Sequence, residues 1–144
     1  MNPVTITKSI SLAFVLTINL LIFNSCSKKV YFPISNVVPA ARGSVEIKKD
    51  KNKNYSIDIN VSDLAEVDRL KGNKKAYVIW MKSDHENSKN IGQINSDTKM
   101  FSKKLSASFH TVSSVKPTRI FITAEEDGTI QYPGDFEVLA IEIK

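Results

Sequence analysis

The chain has 144 residues, of which 42% are hydrophobic and 24% charged, a balance typical of one globular domain with a possible tail. Its 20 basic and 15 acidic side chains give a net charge of only +5, which argues against nucleic acid as a partner. The single cysteine excludes an internal disulfide, so the domain must be stabilised by its hydrophobic core.

The first 25 residues have the pattern of a secretory signal peptide. Lys8 supplies a positive charge near the start, and residues 10–23 are apolar apart from three polar positions. Such a run matches the roughly 7–15 apolar residues of a signal peptide and is short for the roughly 20 of a membrane-spanning helix. The alternative interpretation is an uncleaved anchor helix followed by an incidental cysteine.

The four residues that end this segment, Phe23, Asn24, Ser25 and Cys26, resemble a bacterial lipobox. Ser25 has the small side chain expected before the cut, whereas Phe23 and Asn24 differ from the commoner leucine and alanine or serine. The resemblance implies that residues 1–25 are removed and that Cys26 carries palmitate and further acyl chains. Several chains on one residue anchor a protein stably, at about 0.8 kcal/mol per buried CH2. The expected partner is therefore a membrane, reached through the lipid on Cys26.

The residues after the cysteine bear on location. Ser27 stands where an aspartate would favour inner-membrane retention, which resembles outer-membrane sorting. Lys28 and Lys29 are basic, whereas surface-exported lipoproteins of the Bacteroidetes type often carry acidic residues there. We therefore expect an outer-membrane lipoprotein on the periplasmic face.

Residues 26–42 are interpreted as the lipidated cysteine and a tether, because the segment holds two prolines and no clear period, although its end can begin a strand. Residues 43–50 alternate as a strand does. The charged run 48–54 is interpreted as a solvated hairpin loop, in preference to a basic patch for anionic lipid, because Asp50 interrupts it and asparagine is frequent in it.

The alternation is clearest in residues 55–61, where one face is apolar and the other polar. Residues 62–70 are predicted to form a short helix capped by Ser62 or Asp63. Residues 75–82 are apolar on both faces, which predicts a central strand with Trp80 packed in the core. Further strands are predicted at 91–95, 100–105, 108–112, 118–124 and 136–143. Seven or eight short strands and at most one helix predict an all-β, antiparallel β-sandwich over residues 43–144.

Several short sequences within residues 43–144 carry a family likeness. They are the alternating strand at 55–61, YVIW at 77–80, a glycine-containing hairpin at Gly92, TAE at 123–125 and a late Pro-Gly loop. Together they resemble the immunoglobulin-like β domain at the C-terminal end of anti-sigma-K factor-type proteins, and free-standing envelope domains of the same pattern. The resemblance implies an all-β extracytoplasmic domain. It does not imply regulation, because sigma-factor binding in those relatives belongs to a separate helical segment that has no counterpart in these residues.

The residues needed for catalysis are not gathered in the sequence. There is no Gly-x-Ser-x-Gly elbow and no glycine-rich phosphate loop. His85 and His110 lie in unrelated segments, and the one thiol is assigned to lipid. We therefore predict that the protein is not an enzyme and has no catalytic residues, metal site or cofactor.

The sequence therefore predicts a lipid-anchored cell-envelope protein whose sandwich is an interaction or structural domain, with a protein of the envelope as its expected partner. Two polar loops are its candidate binding sites. Their residues are Asp84, His85 and Glu86, and Glu125, Glu126 and Asp127. Calcium at the second loop, together with Asp135, is a weaker possibility. One alternative function is a small-ligand binder or hydrolase that uses loops at one end of the sandwich, and another is the sensory remnant of an anti-sigma-type regulator.

Overall fold

A computed structural model describes residues 27–84, 86–94 and 105–144. In these ranges the chain forms eight β-strands and a short 3-10 helix, Val67–Arg69. The strands are β1 (Ser27–Tyr31), β2 (Arg42–Lys49), β3 (Tyr55–Leu64), β4 (Ala76–Ser83), β5 (Glu86–Ile94), β6 (Leu105–Ser113), β7 (Pro117–Glu125) and β8 (Glu137–Glu142). None of the helical structure in these ranges is long and apolar enough to cross a membrane.

The strands form two antiparallel sheets of four strands each. The first sheet has the order β1-β2-β3-β6, and the second has the order β5-β4-β7-β8. Because the chain passes between the sheets after β3, β5 and β6, the two sheets are tied together by crossovers, as in immunoglobulin-like sandwiches. The predicted fold class, an antiparallel immunoglobulin-like β-sandwich of seven or eight strands, is confirmed.

The core between the sheets follows from the alternation in the sequence. In β3 the apolar positions are buried, and the polar positions between them are at least partly exposed. The inner face of the first sheet contributes Val45, Ile47, Ile57, Ile59 and Val61, and that of the second contributes Tyr77, Ile79, Met81, Ile120 and Ile122. A two-residue side-chain period therefore sets which face of each strand is buried.

The second sheet is also covered on its outer face. Val78 and Trp80 point away from the first sheet and pack with Phe121, under Ile130 and Ala140. The prediction that 75–82 is a central strand covered on both sides is confirmed. Trp80 is fully buried as predicted, but it lies on the outer face of the second sheet and not between the sheets.

The predicted helix at 62–70 is wrong. Strand β3 continues to Leu64, and the only helical turn within residues 62–70 is Val67–Arg69. Its N-cap residue, Glu66, makes no capping hydrogen bond through its side chain. The pairing of β3 with β6 shifts register between Val61 and Leu64, where Asp63 has a φ of 58°. The bulge places both Val61 and Leu64 in the core, and this non-alternating pair mimics helical spacing in the sequence.

The segment 26–42, interpreted as a tether, is part of the sandwich from residue 27 onward. It contains β1, which pairs with β2, and three of its later side chains, Phe32, Val38 and Ala41, are buried. The polar loop predicted around Asp84 and Glu86 is likewise not a loop throughout, because β5 begins at Glu86 as an edge strand. The strand predicted at 100–105 lies outside the described residues except for Leu105.

Gly92 in β5 lies where the two sheets approach closely. A Cβ atom at this position would be 2.6 Å from Cζ of Phe109 in β6, and the neighbouring ring atom Cε2 would be closer still. We expect Gly92→Ala to lower the free energy of unfolding by about 1–3 kcal/mol, because the ring must shift within a packed interface. Urea unfolding followed by circular dichroism measures the change.

Gly128→Ala is the matched control, because a Cβ atom there meets mainly the flexible end of the Gln93 side chain. Equal stability of the Gly92 and Gly128 variants would contradict the close approach of β5 and β6.

Candidate binding surface

The strand registers define two opposite ends of the sandwich. We call the end where β1 begins the basal end; Ser27 pairs there with Lys48, and Ser83 pairs with Pro117. The opposite end, where Ala76 pairs with Glu125, is the distal end. The β2–β3 hairpin, the β4–β5 hairpin, the β6–β7 turn and Lys144 all lie at the basal end.

The two predicted binding loops lie at opposite ends. Asp84 and Glu86 are exposed at the basal end, whereas Glu125, Glu126 and Asp127 follow or end β7 at the distal end. Strand β4 separates the two groups by about 24 Å, at roughly 3.4 Å per residue. The six predicted residues therefore cannot form one site, and His85 lies outside the described residues.

The distal acids mainly shape their own loop. Glu125 is 5% exposed, and its Oε1 accepts a hydrogen bond of 2.9 Å from the backbone N–H of Gly134. The N–H and the hydroxyl of Thr129 each donate a 2.8 Å bond to Oδ1 of Asp127, and these bonds lower the pKa of Asp127. Within 27–84, 86–94 and 105–144, no three His, Cys, Asp or Glu side chains are grouped so that they could hold a metal ion.

A carboxylate–imidazole pair lies on the first sheet and is not among the site residues predicted from the sequence. Asp58 of β3 and His110 of β6 are directly opposite in register, and Oδ1 of Asp58 lies 2.7 Å from Nδ1 of His110. Such a pair orients an imidazole as in an acyl-transfer site. However, its side chains are 35% and 60% exposed on an open sheet face. The hydroxyl of Ser108, two residues before His110 in β6, donates to Asn60 at 2.7 Å. Among the described residues, no hydroxyl is bonded to this imidazole.

The basal end carries a cleft of about 150 Å³ between the edges of the two sheets. We call it the lysine-rimmed cleft. Its floor is apolar, and its rim holds four lysines from four separate parts of the fold. The floor is Ile47, Tyr55, Pro117 and Ile143, and the rim is Lys28, Lys49, Lys116 and Lys144.

Register explains how the rim is built. Lys28 pairs with Ile47, so its side chain leaves edge strand β1 on the core side, where its ammonium group donates to a main-chain oxygen of Lys144. An inward-pointing lysine is a common device of edge strands. Lys49 pairs with Tyr55, and its ammonium group lies 5.4 Å from the centre of that ring. Both cations are therefore held beside apolar surface.

No Asp or Glu side chain is among the residues that line the cleft. The ion pairs of the described part of the chain use other cations, such as Lys48, whose 3.1 Å contact with Glu46 lowers the pKa of that carboxyl. Like charges grouped without a counter-charge raise the local potential and attract anions. The lysine-rimmed cleft is therefore suited to a phosphate or another anionic group that has an apolar neighbour.

A second cleft, of about 320 Å³, lies between the edge strands β5 and β6. It is lined mainly by polar side chains of mixed character, among them the predicted residue Glu86 together with Lys89 and Thr111. The lining holds one acid and one lysine, so this cleft has no net charge that would favour an anion or a cation.

Comparison with known proteins identifies no relative of this chain. No protein-family model matches the chain, and neither the curated proteins nor the solved structures give a significant match. The function must therefore be argued from the sequence and the geometry of the sandwich.

Proposed function

We propose that this chain is a lipid-anchored protein of the bacterial cell envelope, attached through Cys26, whose β-sandwich acts by binding and not by catalysis. The observation that carries the proposal is the apolar segment 10–23 followed by Ser25 and Cys26. Ser27, which directly follows Cys26 in the sequence, lies at the basal end of the fold. A chain attached at Cys26 would thus be held at the basal end, where the lysines gather.

The proposal places the protein in the outer membrane on the periplasmic face. Its basis is the residues after Cys26, namely Ser27 in place of an aspartate and the basic Lys28 and Lys29. Surface basicity at the point of attachment is favourable beside anionic phospholipid, which supports attachment to a membrane but does not distinguish one membrane from another.

The binding role rests on how the polar groups are used. The distal carboxylates of Glu125 and Asp127 accept hydrogen bonds from their own loop. The pair formed by Asp58 and His110 lies on an open face, whereas acyl transfer requires a hydroxyl and oxyanion donors in fixed positions around the substrate. The loops and edge strands of a sandwich are, by contrast, ready contact surfaces for another envelope protein.

We expect fatty acid supplied to growing cells to label the wild-type protein and to leave Cys26→Ala unlabelled. The sulfur of Cys26 accepts the first acyl chain, and without it the later processing does not occur. Gel fluorography of the protein after growth with an alkyne-tagged fatty acid measures the difference, and Edman or mass analysis of the wild type locates its N terminus.

Ser27→Ala is the matched control, since it changes a neighbouring small polar residue and keeps the thiol. Equal labelling of the wild type and Cys26→Ala would contradict lipid anchoring, as would a mature wild-type protein that still begins at Met1. Turnover of an ester by the purified protein, lost on His110→Ala, would favour the hydrolase alternative, for which the carboxylate–imidazole pair is the specific observation.

A further inference from the structure

From the lysine-rimmed cleft and its position in the fold, we infer that the basal end of the sandwich docks on an anionic phospholipid surface, with headgroup phosphates at the rim lysines. This inference rests on the proposed anchoring through the lipid on Cys26. It goes beyond that anchoring because it assigns a binding surface, a ligand class and an orientation to the folded domain.

The positive charge of the rim favours an anionic partner. Lys28, Lys49, Lys116 and Lys144 converge on one cleft from β1, β2, the β6–β7 turn and the residues after β8, and each is exposed. None of them forms an ion pair with the side chain of a described Asp or Glu, although Lys28 donates to a main-chain oxygen of Lys144. Bringing four ammonium groups together is unfavourable without an anion, and an anionic surface supplies several phosphates at once.

The apolar floor of the cleft also favours a lipid. It lies below the lysines and is formed in part by Ile47, Pro117 and Ile143. When a headgroup phosphate is bound at the rim, the glycerol and the first acyl carbons of the lipid would lie at the level of this floor. Lysine side chains can lay their methylene groups along apolar surface while the ammonium group reaches a phosphate. A free inorganic anion would contact only the rim lysines, whereas a phospholipid would contact both the rim and the apolar floor. The geometry therefore favours the lipid as the source of the phosphate.

The site of attachment lies at the same end of the sandwich as the rim lysines. Ser27 is at the basal end and directly follows Cys26, the residue proposed to carry the lipid. One residue spans at most about 3.6 Å. That distance is shorter than the Debye length of about 8–10 Å at physiological ionic strength. The rim lysines would therefore be held where an anionic bilayer still attracts them.

The remaining charges are distributed unevenly between the basal and distal ends. The basal hairpin 50–54 adds Lys51 and Lys53, and the carboxylate of Asp50 accepts the N–H of Asn54 at 2.8 Å. The acids Asp84 and Glu86 also lie at the basal end, but on the β4–β5 hairpin, separated from β8 by β4 and β7 in the sheet. The exposed acids Glu126 and Asp127 are at the distal end. The domain is thus basic on the side of attachment, whereas the side that would face away carries these acids together with basic residues such as Lys71 and Lys75.

The test is a comparison of lysine acylation in the full-length protein inserted into two kinds of vesicle, phosphatidylcholine alone and phosphatidylcholine with phosphatidylglycerol. A water-soluble acylating reagent is added, and mass spectrometry reads the rate at each lysine. The four rim lysines are expected to react at least about fivefold more slowly on the anionic vesicles, the factor that corresponds to about 1 kcal/mol for one lysine near an anionic surface. Lys71 and Lys75, at the distal end, are expected to react equally on both.

Two further arms sharpen the test. Raised salt is expected to remove the difference, because it screens exposed charges. The double variant Lys49→Gln, Lys116→Gln is expected to restore fast acylation of Lys28 and Lys144. Its matched control is Lys71→Gln, Lys75→Gln, which removes the same charge at the distal end and should keep the protection.

Equal acylation of the rim lysines on both vesicles would overturn the docking inference while the protein still floats with the vesicles. Protection by inorganic phosphate on phosphatidylcholine vesicles, with none from phosphatidylglycerol, would also overturn it and assign the cleft to a free anion. If the protein fails to float with either vesicle, the proposed anchoring fails, and docking falls with it. The flotation result therefore separates the two failures.

Discussion

Trp80→Ala is expected to lower the free energy of unfolding by about 3–5 kcal/mol, a large share of the 5–15 kcal/mol that is typical of a domain. The indole is fully buried, and its ring centre lies 6.2 Å from that of Phe121 with an interplanar angle of 16°. Its N–H donates a 2.8 Å hydrogen bond to the hydroxyl of Thr123, which is itself buried. The substitution removes a large apolar contact and also leaves that hydroxyl without its donor.

Urea unfolding followed by far-ultraviolet circular dichroism measures this loss, since the variant lacks the only tryptophan available for fluorescence. Tyr132→Ala is the control, because Tyr132 belongs to the same covering segment and is 77% exposed. A surface change of this kind is expected to stay within about 0.5 kcal/mol. An unfolding midpoint that Trp80→Ala leaves unmoved would mean that the indole is exposed and available to a ligand.

The cover over Trp80 shows why its burial was predictable and its position was not. Apolar residues on both faces of 75–82 predict a strand buried on both sides, whatever the covering elements are. The cover itself is the segment 126–136, whose sequence indicates only turns. It is held in place by Asn90, whose side-chain amide donates 3.0 Å bonds to the carbonyl oxygens of Gly128 and Ile130. Residues about 40 positions apart make these bonds, so no local pattern reveals them.

Predictions from the local sequence pattern were wrong at the end of β3 and at the start of β5. The bulge that ends β3 places Leu64 three residues after Val61 on the same side, and this spacing is also that of a helix face. In the same way, β5 begins within a polar run because an edge strand at the surface can be stabilised by main-chain pairing with β4. Both errors arise because the sequence pattern reports burial, whereas pairing and register depend on a second strand.

The binding surface was less predictable than the fold for a related reason. The loops around Glu86 and Asp127 are visible in the sequence because their polar residues are adjacent, yet the structure separates them by the length of β4. The rim of the cleft is the opposite case. Its lysines come from segments as far apart as Lys28 and Lys144, and only the pairing of β1 with β2 and the end of β8 collect them. The alternative of a basic patch for anionic lipid was recognisable at 48–54, but one hairpin holds only part of it.

The pairing of Asp58 with His110 was likewise not predictable from the sequence. Asp58 and His110 are 52 positions apart and meet because β3 and β6 are neighbours in the first sheet. The alternation of β3 predicts that Asp58 faces solvent, and this is confirmed. The residue that pairs with Asp58 could not be predicted in this way, because it depends on which strand lies beside β3. That strand, β6, follows only after the chain has formed β4 and β5 in the second sheet.

Alkaline conditions are expected to destabilise the fold through Tyr77. Burial raises the pKa of Tyr77 to about 12, from 10.0 for an ordinary tyrosine, and its hydroxyl donates a 2.8 Å hydrogen bond to the carbonyl oxygen of Ala65. Between pH 10 and 12 the folded protein keeps a proton that the unfolded chain releases, so stability falls as the pH rises through this window. A difference of two pKa units corresponds to about 3 kcal/mol, which is fully present below pH 10 and lost by about pH 12.

Tyr77→Phe isolates this contribution from the other groups that titrate in the same range. At neutral pH we expect the variant to be less stable by about 1 kcal/mol, because the bond to Ala65 is lost. Toward pH 12 the wild type loses the advantage that the neutral hydroxyl gave it, so the two urea midpoints should converge or cross. Tyr132→Phe, at an exposed position, should follow the wild type at every pH. Midpoints of wild type and Tyr77→Phe that stay parallel from pH 8 upward would contradict a raised pKa, and would mean that water reaches the phenol through the connection between β3 and β4.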